Sequence, residues 1–271
     1  MKYILAFFIL SVSTISSFAQ LANPHFGSRS AAMGDASVTN TDIWAVHHNQ
    51  AAMAFIEKSG VGIGYQNRFL VQELALKGLV GAIKTKFGTF GVNVSQFGYS
   101  QYNENKFGLG YAMKLSPKLS AGLQFNYQYF AFGEETYGNK GVFTTEFGVL
   151  GKLTNELTIG AHFYNLNYAQ IADYDEEHLP MIFRLGAGYQ FSEKFFTNLE
   201  VEKGLETDAN VKIGAEYKIV EQIAIRGGIN TYPFSNSFGF GFNHKGIHLD
   251  IAAAYQSTLG YSPQASLQYN F

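Results

Sequence analysis

From about Ser59 to the last residue, apolar side chains alternate with glycine, polar or charged ones. No other feature restricts the fold as strongly, because a period of two sends successive side chains to opposite faces of a β-strand. Ala265, Leu267, Tyr269 and Phe271 share one face, and Gln264, Ser266, Gln268 and Asn270 the other. Leu119, Ala121, Leu123, Phe125, Tyr127 and Tyr129 oppose Ser120, Gly122, Gln124, Asn126 and Gln128 in the same way. The runs last roughly 9 to 12 residues, longer than the 5 or 6 of an average strand and close to the length of a tilted membrane-crossing strand.

Alternation alone fits two architectures, a soluble sandwich with its apolar face inward and a membrane barrel with that face outward. Composition leans to the second: 46% of residues are apolar and only 15% charged, against about 25% charged in average chains. Connection lengths separate the two. Tight polar turns recur at Lys86-Phe87-Gly88, Ser116-Pro117-Lys118, Thr154-Asn155-Glu156, Ser192-Glu193-Lys194, Val220-Glu221-Gln222 and His244-Lys245-Gly246. Longer links fall between them, at Gly98–Glu104, Ala131–Lys140, Leu166–Leu179, Lys203–Asp208, Thr231–Asn236 and Gln256–Ser262, with an opening link near Asn67–Gln72. Short turns on one rim and long loops on the other mark an outer-membrane barrel. The expected fold is an all-β antiparallel transmembrane barrel of about 14 strands over 59–271, with both termini on the short-turn side. Tyrosines and phenylalanines such as Tyr65, Phe107, Phe163, Tyr189, Phe191, Tyr217, Tyr255 and Tyr269 near strand ends suit the membrane–water interface.

With the apolar face in lipid, the charges fall inward: Lys106, Lys114, Glu146, Lys152, Arg184, Glu200, Glu202, Lys212, Glu216, Lys218, Arg226 and Asp250. One Lys or Arg facing lipid at mid-bilayer costs about 2–4 kcal/mol, so a dozen such misplacements would exceed a folding stability of about 5–15 kcal/mol. The lumen is therefore expected to be polar, and about 14 strands enclose more space than their own side chains fill. Residues 20–58 are the expected filling. They lack alternation, read as helical pieces at Ser30–Met33, Thr41–Val46 and Gln50–Ile56, and carry Met33, Ile43, Trp44, Met53, Phe55 and Ile56, too apolar for a solvated tail. Ahead of them, Lys2, the apolar run Tyr3–Leu10 and Ser17-Phe18-Ala19 read as a signal peptide over 1–19, which implies export.

Sharper chemistry finds little support. Adjacent His47 and His48, with Asp35 and Asp42 upstream, point in different directions and suit packing better than one shared metal. Asp173, Asp175, Glu176 and Glu177, beside His178, lack the glycine and spacing of a calcium loop and read as a solvated loop suited to a partner. No nucleophile elbow accompanies His162 or His248, so an enzyme is not expected. Gly108-Leu109-Gly110 and Gly239-Phe240-Gly241 open no helix and read as inward strand glycines rather than a nucleotide loop. A net charge of −2 gives nucleic acid no purchase. No cofactor or metal is expected.

Gly27-Ser28-Arg29-Ser30-Ala31-Ala32-Met33-Gly34-Asp35-Ala36 resembles the G-x-R-x-x-x-M-G-x-A opening of the FadL and PorV/PorQ outer-membrane families. Asp42 stands where those families carry an aspartate, and Asn49-Gln50-Ala51 where they carry an N-P-A turn, with Gln50 replacing proline. The resemblance is specific over about 30 residues and extends beyond them only as a strand pattern. It implies a 14-strand barrel with an N-terminal plug in the outer membrane of a Gram-negative bacterium. It also makes the terminal aromatic, Phe271, look like the signal read by the barrel-insertion machinery. FadL-like members carry long-chain fatty acids and other hydrophobic compounds through a lateral opening, whereas PorV-like members bind cargo beside a large type IX secretion translocon. The outward loops look too brief for an apolar capture groove, so the expectation is a secretion accessory with translocon or cargo as partner, and a hydrophobic small molecule as the alternative ligand.

Overall fold

A computed structural model of the chain describes residues 25–133, 138–171 and 178–271. The signal peptide expected over 1–19 and the acidic loop residues Asp173, Asp175, Glu176 and Glu177 lie outside the described residues.

Fourteen antiparallel strands close into one barrel, each paired with its neighbours in chain order and β1 sealed against β14. They are β1 Gly60–Asn67, β2 Ala75–Lys84, β3 Thr89–Gly98, β4 Tyr102–Lys114, β5 Leu119–Phe132, β6 Lys140–Lys152, β7 Leu157–Tyr164, β8 Ile182–Gln190, β9 Phe195–Gly204, β10 Asn210–Val220, β11 Ile223–Thr231, β12 Phe234–His244, β13 Ile247–Gln256 and β14 Gly260–Asn270. The alternation becomes burial directly. Along β5, Ser120, Gln124, Asn126 and Gln128 are buried inside while Leu123 and Phe125 stand on the outside. Phe125 is 63% exposed, Leu109 69% and Phe143 70%. An outer wall this apolar is at home only against hydrocarbon, where closure leaves no strand edge unpaired. Among the described residues no helix is long and apolar enough to cross a membrane.

Links on the rim where β1 begins and β14 ends run over 85–88, 115–118, 153–156, 191–194, 221–222 and 245–246. The opposite rim is less uniform than the sequence suggests. Its links 68–74, 133–139 and 165–181 are long, but 99–101, 232–233 and 257–259 are tight hairpins, so three of the expected loops are strand. The cause is local. Gly98 (φ 96°) and Gly260 (φ 91°) adopt the left-handed backbone that a tight reversal uses, which lets polar residues on either side stay in the ladder. The strands accordingly span 8 to 14 residues.

Pairing is continuous through β2–β3 and β3–β4. It is shortest between β6 and β7, where β7 ends while β6 runs on. There the Asn167 side chain replaces the missing strand: its amide nitrogen donates to the Phe143 carbonyl at 2.8 Å and its oxygen accepts from the Thr145 N–H at 2.9 Å.

Residues 25–58 lie among the inward side chains as α1 Ser28–Ala32, α2 Ala45–His48 and a 3₁₀ turn Gln50–Phe55; the first two are shifted by a few residues from the helical pieces read in the sequence, and the third matches its piece to within one residue. Residues 43–56 are all buried. The inward face also departs from a uniformly polar lining. On β1–β4 it carries Leu76, Val80, Ala82 and Phe97, which pack with Phe26, Ile43, Trp44, Val46 and Met53 into one apolar cluster. The charges gather on the other side of the barrel.

Candidate functional site

The interior is organised by how the N-terminal segment meets the wall. Gly27 (φ 106°) turns the chain into α1, where the Ser30 hydroxyl donates to the Gly27 carbonyl at 2.8 Å. The helix ends at once on Gly34 (φ 66°) and Asp35 (φ 61°), whose backbone N–H groups donate back to Ala31 and Ser30. Gly34 has no alternative, because a Cβ there would stand 2.6 Å from the Ile229 carbonyl oxygen. Its N–H donates to the Ser237 hydroxyl at 3.0 Å, and that hydroxyl donates to the Ala32 carbonyl at 3.1 Å.

This helix and its end press on a row of small residues across five strands: Gly214, Gly228, Gly239, Ala252 and Ser266. A Cβ on Gly214 or Gly228 would overlap Met33 or Gly34, and one on Gly239 would stand 2.7 Å from the Ala32 methyl group. Ala252 packs with Ala31 and Ala32, and the Ser266 hydroxyl accepts from the Ser28 N–H at 3.1 Å. The row divides two cavities. Towards the short-turn rim lies one of about 570 Å³, lined by Arg29, Asp42, Phe55, Glu216, Arg226 and Asp250 among others. Towards the opposite rim lies one of about 280 Å³, with His25, Asp35, Arg68, Phe69, Lys212 and Tyr232 in its lining. On β10 to β14 the residues of the first cavity lie on one side of the row and those of the second on the other. The segment is a crossbar in the lumen.

Three ionic networks hold it. In the first, Arg29 forks onto Glu216 through Nε at 2.8 Å and Nη2 at 3.0 Å, and reaches Asp42 through Nη1 at 3.0 Å. Arg226 shares Glu216 at 2.6 Å and continues to Asp250 at 2.5 Å. Burial pulls the Arg29 guanidinium down, and the Glu216 and Asp42 carboxylates more than reverse it, so it stays charged above its ordinary range. In the second, Lys212 bridges Glu202 at 2.9 Å and Glu200 at 3.3 Å, Arg184 donates to Glu202 at 2.6 Å, and His25 lies 3.1 Å from the same carboxylate. Glu200 accepts two backbone N–H groups of the segment, Ser37 at 2.7 Å and Val38 at 2.8 Å. In the third, Glu146 accepts from Lys106 at 2.6 Å, from Gln50 at 2.7 Å and from Asn126 at 2.9 Å, with His162 Nε2 at 3.0 Å. Each carboxylate of the three networks thus faces a cation or several donors, as buried charge requires.

Other residues singled out in the sequence fall into clear places. Asn49 caps the 3₁₀ turn through the Ala51 N–H and donates to the Val38 carbonyl at 2.8 Å. Gln50, where the resembling families carry proline, supplies the donor to Glu146. Met33 is buried against the crossbar row, and Ala51 accepts from the Ser120 hydroxyl at 2.7 Å. Asp35 makes no ion pair among the described residues; it lines the outer cavity with Arg68, whose guanidinium burial lowers to about 10. Lys114 points inward but is exposed at the mouth, over the Phe55 ring at 4.8 Å. Phe271 follows the last strand, with its N–H donating to the Ser59 carbonyl at 2.9 Å. His47 and His48 lie in the buried interior, where burial and the neighbouring His47, His25, Arg184 and Lys212 hold His48 well below the usual histidine range. His25, Glu200 and Glu202 bring ligand atoms within 4.8 Å of one another, but the Lys212 ammonium already occupies the position a metal would take, 2.8 Å from His25.

Gly239 is one of the inward glycines read from the sequence, but the alignment of Gly214, Gly228 and Gly239 into one row, and of Asn126 and His162 around Glu146, escapes a sequence reading because only strand register brings them together. The one sequence signal is that Gly214, Gly228 and Gly239 all take the inward parity of their strands.

No family model matches the chain, and no curated protein does. Solved structures do resemble it. The CymD monoaromatic hydrocarbon channel superposes with a TM-score of 0.69 at 12% identity, over 90% of this chain and 97% of that one. The toluene transporter TbuX of Ralstonia pickettii gives 0.67 at 13%, over 91% and 98%. A FadL homologue of Pseudomonas aeruginosa gives 0.60 at 13%, over 92% and 99%. At such identities the likeness is one of fold, a closed antiparallel barrel like those of these outer-membrane channels.

Proposed function

We propose that the chain is an outer-membrane channel for small hydrophobic compounds, with residues 20–58 as its plug. The observation that carries this reading is the crossbar. A barrel with an apolar outer wall holds two cavities, open towards opposite rims and separated by one short helix seated on glycines. Shifting that helix would join them. The apolar cluster on the β1–β3 side supplies the surface an apolar solute needs, while the paired charges on β4 and β6–β13 give an ion little net attraction. The resembling structures are named as hydrocarbon channels and transporters, which supports passage and points away from catalysis. They lend nothing to the secretion-accessory reading, and brief outer loops do not argue against transport in a fold of this kind.

Uptake decides the matter. Proteoliposomes containing the barrel should take up a labelled monoaromatic or long-chain fatty compound several-fold faster than empty ones. Equal uptake, together with co-purification of the barrel with a very large translocon after mild extraction, would replace this reading by the secretion one.

A further inference from the structure

Phe26, 2% exposed, lies against the wall of β1 and β2. Its floor is a pair of glycines, Gly64 and Gly78, which are register partners in adjacent strands. A Cβ on Gly64 would stand 2.9 Å from the ring, and one on Gly78 2.5 Å. The wall is therefore stripped of side chains under this one ring. Trp44 meets Phe26 edge to face, with centroids 5.4 Å apart, and His47 does so at 5.9 Å. Leu76, Val80 and Phe97 belong to the same buried cluster. The result is a slot one aromatic ring thick, with an aromatic edge contact that favours a ring over an alicyclic body of equal size. Phe26 is attached through Gly27, whose φ of 106° belongs to a backbone region that glycine enters freely.

We infer that this slot is a binding site for a single apolar aromatic ring, and that Phe26 is the chain's own stand-in for that ligand. The inference rests on the proposed passage of hydrophobic compounds and deepens it by placing the site and the class of solute. A ring that takes the slot must displace Phe26. The tethered side chain competes with the ligand, so the apparent affinity is the intrinsic one multiplied by the fraction of time the slot is empty. Loss of the Phe26 ring frees the site.

Trp44 is the single tryptophan of the chain, so its emission reads the slot directly. Bromobenzene, whose heavy atom quenches indole on contact, is titrated into the full-length barrel in detergent. Phe26→Ala should reach half-quenching at a concentration at least tenfold below wild type, and bromocyclohexane should need several-fold more than bromobenzene. Met53→Ala, which opens space in the same cluster against Gly91 rather than the glycine pair, should stay at the wild-type value. If Phe26→Ala loses the heat-modifiable migration of a folded barrel, Phe26→Leu takes its place with a smaller gain of the same sign. Equal quenching of wild type and the Phe26 variant, equal response to both bromides, or an equal gain in Met53→Ala would overturn the site. Binding without vesicle uptake would sink the passage reading and leave the slot; uptake with no bromobenzene response would do the reverse.

Discussion

At the residue scale the interior depends on charge pairs that cannot lose one member cheaply. Glu146 is fully buried and accepts from Lys106, Gln50 and Asn126. Glu146→Ala strands the Lys106 ammonium and should cost about 3–5 kcal/mol. Glu57→Ala, at an exposed position, should stay within about 0.5 kcal/mol. Urea unfolding in detergent, followed by heat-modifiable migration, compares the two. His48 adds a pH dependence of known sign. Burial, with His47, His25, Arg184 and Lys212 facing it, lowers its folded pKa below 6.5, so the unfolded chain takes up the proton first. The stability it contributes is complete above pH 6.5 and falls on acidification by up to about 1.4 kcal/mol per pH unit. Protease resistance of residues 25–58 should therefore decline between pH 7 and 5, and decline less in His48→Phe. That these charges turn inward is legible in the sequence from parity alone. Their partners are not, because Arg29 and Glu216 are 187 positions apart and only barrel closure brings them together.

At the scale of elements the deciding contact is α1 on the glycine row. Gly228→Val would drive side-chain atoms into Met33 and Gly34, whereas Gly227, the residue before it, has an outward Cβ position with its nearest neighbour 3.8 Å away. Gly228→Val should leave the barrel folded but render residues 25–58 cleavable by added protease; Gly227→Val should not. A barrel that fails to form in both, or a segment protected in both, would remove the crossbar from the account. Strand number and the short-turn rim are readable in the sequence because alternation and polar turns are local signals. The tight hairpins at 99–101, 232–233 and 257–259 are not, since their flanks carry polar residues that read as loop until strand pairing is known. Nor is the two-sided lumen, because Leu76, Val80 and Phe97 occupy inward positions without disturbing the period.

For the whole molecule, everything rests on a wall that faces hydrocarbon and a lumen filled by the chain's own N-terminal segment. Both halves of that statement can be read with one technique in vesicles of brominated lipid, using Trp44 inside the wild-type barrel and the Phe125→Trp, Trp44→Phe variant on the outer wall, where Phe125 is 63% exposed. Strong quenching of the variant beside an unquenched Trp44 is the result expected here. Quenching of Trp44 with protection at position 125 would contradict it.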